Sequence, residues 1–416
     1  MNIDADKIRS AVAGRLDEAK TLLCKLIAIP SLPGEEAAAM DCAADAFGKF
    51  AEVQRVAMDN SLRDDRDYSD PVPDIDYAGR SNLRVVRAGT GGGRSLLLNT
   101  HLDTVPPSQG QDNPYQPGEI DGAIVGRGAC DAKGQAATIY LAMATMNDLG
   151  LTLGGDVIAH LVVEEEVGGN GTLAMARAGE RADGCIVLEP TDLRVLSSIR
   201  GAVWFRVTLR GKPGHSGSAG RTRSALDMAI RTVEILRSYH RRLLDSSRGD
   251  ALFDKYENPM PLTIGKLLAG NWPATAPGKA SLEGVLGLLP NKTATQVMDE
   301  MTAALRDEGG EDFAGNFDIH FLYRHDASVC ATDDPLVREL LAAAEALGRA
   351  CEIDAMTASC DAFFYNNQLR IPTVVFGGGS LGVAHSNQEQ MPLCDLAAAA
   401  EVIVRTASEF CKVSES

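Results

Sequence analysis

Four short apolar runs, Leu96–Asn99, Val157–Val163, Cys185–Leu188 and Thr373–Phe376, are separated by stretches with helical spacing such as Gly134–Leu149. Unbroken apolar runs of this length suit strands covered on both faces, where each face meets helices rather than water. Strands of this kind alternating with helices predict a mostly parallel sheet of the α/β class. In such sheets functional groups collect just beyond the C-terminal strand ends. The residues just after each run therefore carry most of the functional information.

The first run leads into Thr100-His101-Leu102-Asp103, and the second into Glu164-Glu165-Glu166 followed by Gly168-Gly169. The third leads into Glu189-Pro190-Thr191, and the fourth into a glycine loop and then Ala384-His385-Ser386. Asp131 stands in the loop Gly126–Gly134, ahead of a helix. A lone histidine is more often structural than a ligand, and three successive acids usually form a solvated turn. Two histidines and several acids at the ends of one sheet, however, make a mixed N/O donor set suited to divalent ions. His101 and Asp103 sit at i and i+2, so on extended backbone they share a face, and the carboxylate can orient the imidazole. Glu165 and Glu166 are adjacent and diverge, which leaves one to bind metal and the other to act as a base.

The remaining segments organise around this sheet. An amphipathic helix spans roughly residues 4–27 and closes at Ile29-Pro30. The polar stretch Met58–Arg80 reads as a surface loop and Gly89–Gly93 as a hairpin loop. In the middle, Trp204–Leu209, a helix carrying Leu226, Ile230, Val233 and Leu236, the runs Leu262–Leu268 and Ala280–Leu288, a helix opened by the capping box Thr293–Gln296, and Asp318–Tyr323 give the order β-α-β-β-α-β. This is the split βαβ arrangement of ferredoxin-like units. The expected organisation is residues 1–198 and 327–416 as one domain, with 199–326 inserted into it.

At 416 residues the chain is long enough for two or three domains. A net charge of −17 argues against nucleic acid, whose phosphates demand a basic surface. A small anionic ligand remains compatible, because a pocket can be positive on an acidic protein. No run approaches the ~20 apolar residues of a membrane span, and the charged N-terminus lacks a signal-peptide core. Nine scattered cysteines without a C-x-x-C pair fit reduced thiols and a cytoplasmic location.

His101-Leu102-Asp103-Thr104-Val105-Pro106, Gly126–Gly134, Glu164–Gly169, Glu189-Pro190-Thr191, Gly214-His215-Ser216 and Ala384-His385-Ser386 occur in a familiar order. Over nearly its whole length the chain resembles the acetylornithine deacetylase, succinyl-diaminopimelate desuccinylase and carboxypeptidase G group of dinuclear metallohydrolases. The resemblance implies a zinc-exopeptidase-like catalytic domain with an inserted ferredoxin-like lid and dimerisation domain. It implies two divalent ions per subunit, zinc first, with cobalt or manganese as alternatives. Asp131 would bridge them, His101 and Glu189 would complete one site, and Glu166 with His385 the other. Asp103 would orient His101, Glu165 would be the general base, and His215 would reach the substrate's developing oxyanion, often across a dimer interface. A cis peptide is implied at Asp131-Ala132. The implied activity is hydrolysis of a C–N bond by a hydroxide held between the metals. Deacylation of an N-acyl amino acid or related small carboxylate comes first, with a homodimer or higher homo-oligomer as the assembly.

The chain departs from that group where substrate is held. An asparagine three residues before a lid proline and an arginine in an Arg-x-x-Pro strand are replaced by Ala274 and Gly287, aligned on Pro277 and Pro290. Arg200, Arg221, Arg223 or Arg324 could supply the missing cation, and Gly378 and Gly379 could offer backbone N–H groups to a carboxylate. Trp272-Pro273 reads as packing in preference to a stacking wall. Cys130 and His160 read as packing residues. A dipeptidase or carboxypeptidase, and an aminohydrolase or deformylase acting on an aromatic or heterocyclic compound, are the alternative activities. A more remote one is a serine hydrolase at Ser380, since Gly378–Gly382 matches G-x-S-x-G but lacks the helix that motif needs. A binding protein on an inactive scaffold would have lost ligands that this chain retains.

Overall fold

Leu96 and Leu98 point to one side of their strand and Leu97 to the other, and the two sides feed different cores. The computed structural model describes residues 3–218 and 220–412. The framing strands are β1 (Glu52–Ala57), β2 (Ser81–Arg87), β3 (Leu96–His101), β4 (Val157–Val162), β5 (Gly184–Val187), β6 (Val195–Ile199), β7 (Gly201–Arg210), β8 (Leu262–Ala269), β9 (Lys279–Leu288), β10 (Phe317–His325), β11 (Ser328–Val329), β12 (Ile353–Met356) and β13 (Thr373–Val375). The helices are α1 (Ala5–Ile27), α2 (Ala37–Phe47), α3 (Lys133–Asp148), α4 (Asn170–Arg177), α5 (Ala225–Ser246), α6 (Ala294–Gly309), α7 (Pro335–Ala346) and α8 (Leu393–Phe410).

The large sheet runs β1-β2-β4-β3-β5-β13-β6-β11, with β12 also paired to β6. Its centre, β4-β3-β5-β13, is parallel, and β1, β2, β6 and β11 extend it through antiparallel pairs. The sheet is thus parallel where the site lies and mixed at its margins. Every residue of β3, β4 and β5 is buried, as their unbroken apolar sequence requires. One face packs against α1, α3 and α8, which also pack on one another. The other holds a smaller cluster in which Leu97, Ile158, Val187 and Val375 meet Tyr365 and Ile371. α3 is buried along almost its whole length, which explains its run of Ala, Gly and Met in place of an amphipathic stripe.

The chain leaves the large sheet after Ile199 and returns at Ser328. Between these points β8-β9-β7-β10 form a second, wholly antiparallel sheet, and α5 and α6 bury one face of it in a separate apolar cluster. The Thr293–Gln296 capping box opens α6 with both reciprocal hydrogen bonds present.

Two local expectations change. Gly89–Gly93 joins β2 to β3, which are separated in the sheet by β4, so the segment is no hairpin. Gly89 and Gly93 allow close approach: a Cβ at Gly89 would lie 2.5 Å from the Gly155 carbonyl carbon, and one at Gly93 2.6 Å from the Gly155 nitrogen. The Met58–Arg80 stretch does more than cover the surface. Ser69 and Tyr77 are buried, Asp70 N–H donates to the Leu322 carbonyl (2.9 Å), and Arg324 donates to the carbonyls of Arg66 (2.7 Å) and Tyr68 (3.0 Å). The stretch therefore ties the large sheet to β10.

Candidate metal centre

Most of the metal-type residues come just after strand ends. His101 closes β3, Glu165 and Glu166 come after β4, Glu189 after β5, and His385 lies beyond β13. Asp131 stands two residues before α3, and the Asp131-Ala132 peptide is cis. The ligand atoms of His101, Asp131 and Glu166 lie within 4.8 Å of one another, as do those of His101, Glu165 and Glu189. The central geometry belongs to Asp131: its Oδ1 faces His101 Nε2 at 3.1 Å and its Oδ2 faces His385 Nε2 at 3.2 Å. One carboxylate thus serves both halves of the cluster. Glu189 approaches the His101 side (3.9 Å) and Glu166 the His385 side (2.9 Å).

Asp103 lies against His101 and also against the turn that follows β4. Its carboxylate lies 3.4 Å from His101 Nδ1, which also contacts the Asp103 carbonyl at 3.0 Å. The same carboxylate accepts the N–H groups of Glu165 (3.1 Å) and Glu166 (3.0 Å). Those two residues open a 3₁₀ turn instead of continuing extended, because Glu164 turns the chain at φ 61°. One buried acid therefore fixes an imidazole and the turn carrying two further acids.

The charge distribution of the cluster suits a cation. Burial pushes the Glu165 carboxyl well above the usual range; His101 opposes this, and Glu189, Asp361 and Glu166 add to it. Glu189 is raised well above its ordinary value, again by burial first. Burial opposes protonation of His385, yet the carboxylates of Asp131 and Glu166 lift it to about 11. Among the described residues no lysine or arginine pairs with Asp131, Glu165, Glu166 or Glu189. Only the imidazoles of His101 and His385 offset these carboxylates, which otherwise repel one another at high cost. A mixed carboxylate–imidazole set is the donor chemistry that divalent ions accept. The residues fit the metal they were expected to hold.

Several supporting residues were not anticipated. Glu389, buried, accepts the Asp131 N–H at 3.3 Å and pairs with the buried Arg127. Arg127 also donates to Ser108 Oγ (2.7 Å), which donates to the His385 carbonyl (2.8 Å). That chain holds Asp131 and His385, itself at φ 57°, in one network. Asp361, raised to about 7 chiefly by burial, accepts from Thr172 Oγ1 at 2.6 Å and lies near enough to Glu165 and Glu189 to raise both. Glu164, the first acid of the Glu164–Glu166 run, points inward and accepts from Tyr77 Oη (2.6 Å), Asn170 and Arg80. His160 is buried as expected but is also hydrogen-bonded, to Glu180 (2.9 Å) and Tyr365 Oη (2.8 Å). Cys130 is buried, as its packing role required.

Other sequence candidates lie apart from the cluster. His215 is exposed on a short ribbon paired with Thr275 and accepts the Gly217 N–H at its own Nδ1 (3.0 Å). Arg221 is exposed, Arg223 bridges to Lys212 through its backbone, and Arg324 is occupied by the carbonyls named above. The Gly379 N–H faces Asp395 (3.4 Å), and the Gly378 carbonyl accepts from Gln135 (2.7 Å). Trp272, read as packing, is instead 68% exposed. Ser380 Oγ accepts the Gly382 N–H (3.3 Å), turns rather than a helix come after it, and His385 is engaged with acids. A serine nucleophile has neither its elbow nor its base here.

A largely buried donor cluster beyond the C-terminal ends of parallel strands, with His385 at its exposed side and Asp131 common to both halves, defines the class: a metal-dependent hydrolase site. Residues 97–409 match the family described as Peptidase family M20/M25/M40, and the chain belongs to that family, whose members hydrolyse C–N amide bonds. It is 30% identical over 342 residues to an acetylornithine deacetylase of Myxococcus xanthus, covering 81% of this chain and 86% of that one. It is 24% identical over 352 residues to an N-formyl-4-amino-5-aminomethyl-2-methylpyrimidine deformylase of Bacillus subtilis, covering 76% and 79%. Its fold is similar to that of human carnosine dipeptidase 1, with a TM-score of 0.76 at 18% identity over 98% of this chain and 99% of that one.

Proposed function

We propose that this hydrolase removes an acyl group from the nitrogen of a small carboxylate, an N-acyl amino acid or a close relative, using two divalent ions, zinc first. The single observation that carries the two-ion reading is Asp131 turning one oxygen to each histidine. Asp131, His101 and Glu189 would hold one ion, and Asp131, Glu166 and His385 the other. When bound, such ions lower the pKa of water and polarise the attacked carbonyl.

The protein's own residues do the rest. Glu165 lies against the cluster, and its carboxylate makes no hydrogen bond or ion pair among the described residues. It is therefore free to take a proton from the attacking water and return it to the departing nitrogen. Asp103 keeps that carboxylate in place by holding the backbone of its turn. Burial of His101 and Asp131 limits bulk water around them, which strengthens each charge interaction at the site.

The deacylase reading is favoured over the dipeptidase and aminohydrolase readings by the 30% identity to a deacetylase across most of both chains. The four-stranded unit would act as a lid and bring His215 to the substrate of a second copy. Release of acetate, formate, succinate or ammonia from a panel of N-acyl amino acids, dipeptides and aromatic amines tests the substrate. Glu165→Gln tests the base: the variant is expected to take up as much zinc as wild type and to lose at least 10²-fold in kcat, of the order of general-base contributions (~10²–10⁴). Near-normal turnover in the fully metallated variant would exclude Glu165 from that role.

A further inference from the structure

The inserted unit has two covalent crossings to the large sheet, and they run side by side. A Cβ at Gly201 would lie 2.7 Å from both the Ala327 nitrogen and the Asp326 carbonyl carbon. Arg200, buried at the first crossing, spends its donors on the Thr357 carbonyl and on the Gly201 carbonyl (3.1 Å). A third tie is non-covalent and comes from residues 65–70, ahead of the family-matched residues 97–409. β10 is the edge strand of its sheet. Its register with β7 slips between Phe321 and Tyr323, and at that slip the Leu322 carbonyl accepts the Asp70 N–H (2.9 Å). On either side, Arg324 donates to the carbonyls of Arg66 (2.7 Å) and Tyr68 (3.0 Å), and His320 Nε2 meets Asp70 Oδ2 at 3.1 Å.

The same short stretch grips the other domain. Arg177 of α4 forks onto Asp65 (2.7 and 3.0 Å) and reaches Asp67 (2.7 Å). Asn170, the first residue of α4, pairs with Ser69 as a neighbouring strand would. Its Oδ1 accepts the Ser69 N–H (3.0 Å) and its Nδ2 donates to the Ser69 carbonyl (2.9 Å). Between Glu165 and Asn170 the chain passes Gly168, at φ 112°, where a Cβ would collide with Ser69 and stand 2.8 Å from Tyr323 Cδ2 of β10. The turn that carries Glu165 thus ends in contact with both Ser69 and a ring of the inserted unit. Asp103 holds the start of that turn through the Glu165 and Glu166 N–H groups; Ser69 holds its end.

We propose that residues 65–70 form a strap that couples the inserted unit to the general base. Arg324 and Asp70 set Ser69, and Ser69, through Gly168 and Asn170, sets the turn on which Glu165 rides. Arg324 and Asn170 are positioning residues, and the hydrogen bonds of Arg324 all go to backbone carbonyls. The inference rests on the reading of Glu165 as base and adds to it that catalytic competence follows the seating of β10 on the strap. A displacement of about 1 Å at a catalytic group costs on the order of 10²-fold in rate. Loosening the strap therefore registers in kcat more than in KM.

Amide hydrogen exchange on the zinc-loaded full chain tests the coupling independently of the chemistry. In Arg324→Met the amides of residues 165–168 are expected to exchange about 10-fold faster, as for loss of one or two hydrogen bonds, with α1 amides as in wild type. Kinetics follow with N-acetylornithine as the probe substrate. Arg324→Met is expected to lower kcat roughly 10-fold with KM within about threefold. Arg324→Lys, which keeps a donor, should recover part of the loss and serves if the methionine variant does not fold. In the Glu165→Gln background the Arg324→Met change should cost less than about twofold, because it acts through the base. Unaltered exchange at residues 165–168 in folded Arg324→Met overturns the proposal, and so does a full additive loss in the double variant. A raised KM with unchanged kcat also overturns it and makes Arg324 a substrate contact. If Glu165→Gln keeps full activity, or wild type does not hydrolyse the probe, the hydrolase reading fails instead, and the exchange result alone decides the strap.

Discussion

His325 offers the sharpest physical test of the junction between the two sheets. It ends β10, is 3% exposed, and neither ring nitrogen has a hydrogen-bond partner. The ring stacks on Phe363 (4.3 Å between centroids, 15° between planes), lies 4.1 Å from Tyr323 and meets Phe364 edge-on at 4.8 Å. Burial in this aromatic cage lowers its pKa to about 3, and the neighbouring Arg324 adds to the shift. The unfolded chain binds a proton at His325 near pH 6.5 that the folded protein refuses until about pH 3. Between those limits the unfolded state holds more protons, so stability rises with pH and is lost as pH falls, by about 1.4 kcal/mol per unit. At pH 4.5, two units below the unfolded value, the loss from this one residue is roughly 2.5 kcal/mol.

His325→Phe keeps an aromatic ring and removes the titrating group. At pH 7.5 the variant should be equal to or slightly more stable than wild type, because two unsatisfied nitrogens, worth ~1–3 kcal/mol, are replaced by ring carbons at some packing cost. Its advantage should then grow by about 2.5 kcal/mol between pH 7.5 and pH 4.5. Urea unfolding of both proteins at a series of pH values measures this, and the difference between them cancels carboxylate titrations common to both. A stability difference that stays flat across the window would refute the reasoning, since it would mean that His325 is protonated in the folded protein or already solvated.

The site itself sets two further outcomes. Asp131→Asn should weaken uptake of both ions together, whereas His385→Ala should weaken one; metal stoichiometry of the purified variants decides, and loss of a single ion in Asp131→Asn contradicts the bridging role. Arg127→Met leaves the buried Glu389 without its cation and should cost about 3–5 kcal/mol. Denaturant unfolding reads this, and an unchanged midpoint would show that Glu389 is neutral in the folded protein.

Most of the donor cluster was legible because His101, Glu165, Glu166 and Glu189 are near neighbours, along the chain, of a strand end, whereas Asp131 stands ahead of α3 and His385 lies well beyond β13. An apolar run announces a buried strand, and the next residue along is where the sheet presents side chains to a cleft, so His101, Glu165, Glu166 and Glu189 needed only local reasoning. The Thr293 capping box, likewise a matter of residues three apart, formed as its spacing predicts. Glu164 misled as one of three successive acids because burial is not written in composition; its partners Tyr77 and Arg80 come from a stretch that looked like a surface loop.

The sequence by itself determined which side chains could meet a metal and on which strands they would ride, because period and adjacency are local properties. Tertiary structure decided what those side chains lean on: Glu389 under Asp131, Asp103 beneath the Glu165 turn, and Ser69 against Gly168. These contacts join residues tens to hundreds of positions apart. No short-range signal encodes them, because each depends on how two separately folded surfaces approach and on which buried charge finds a partner there.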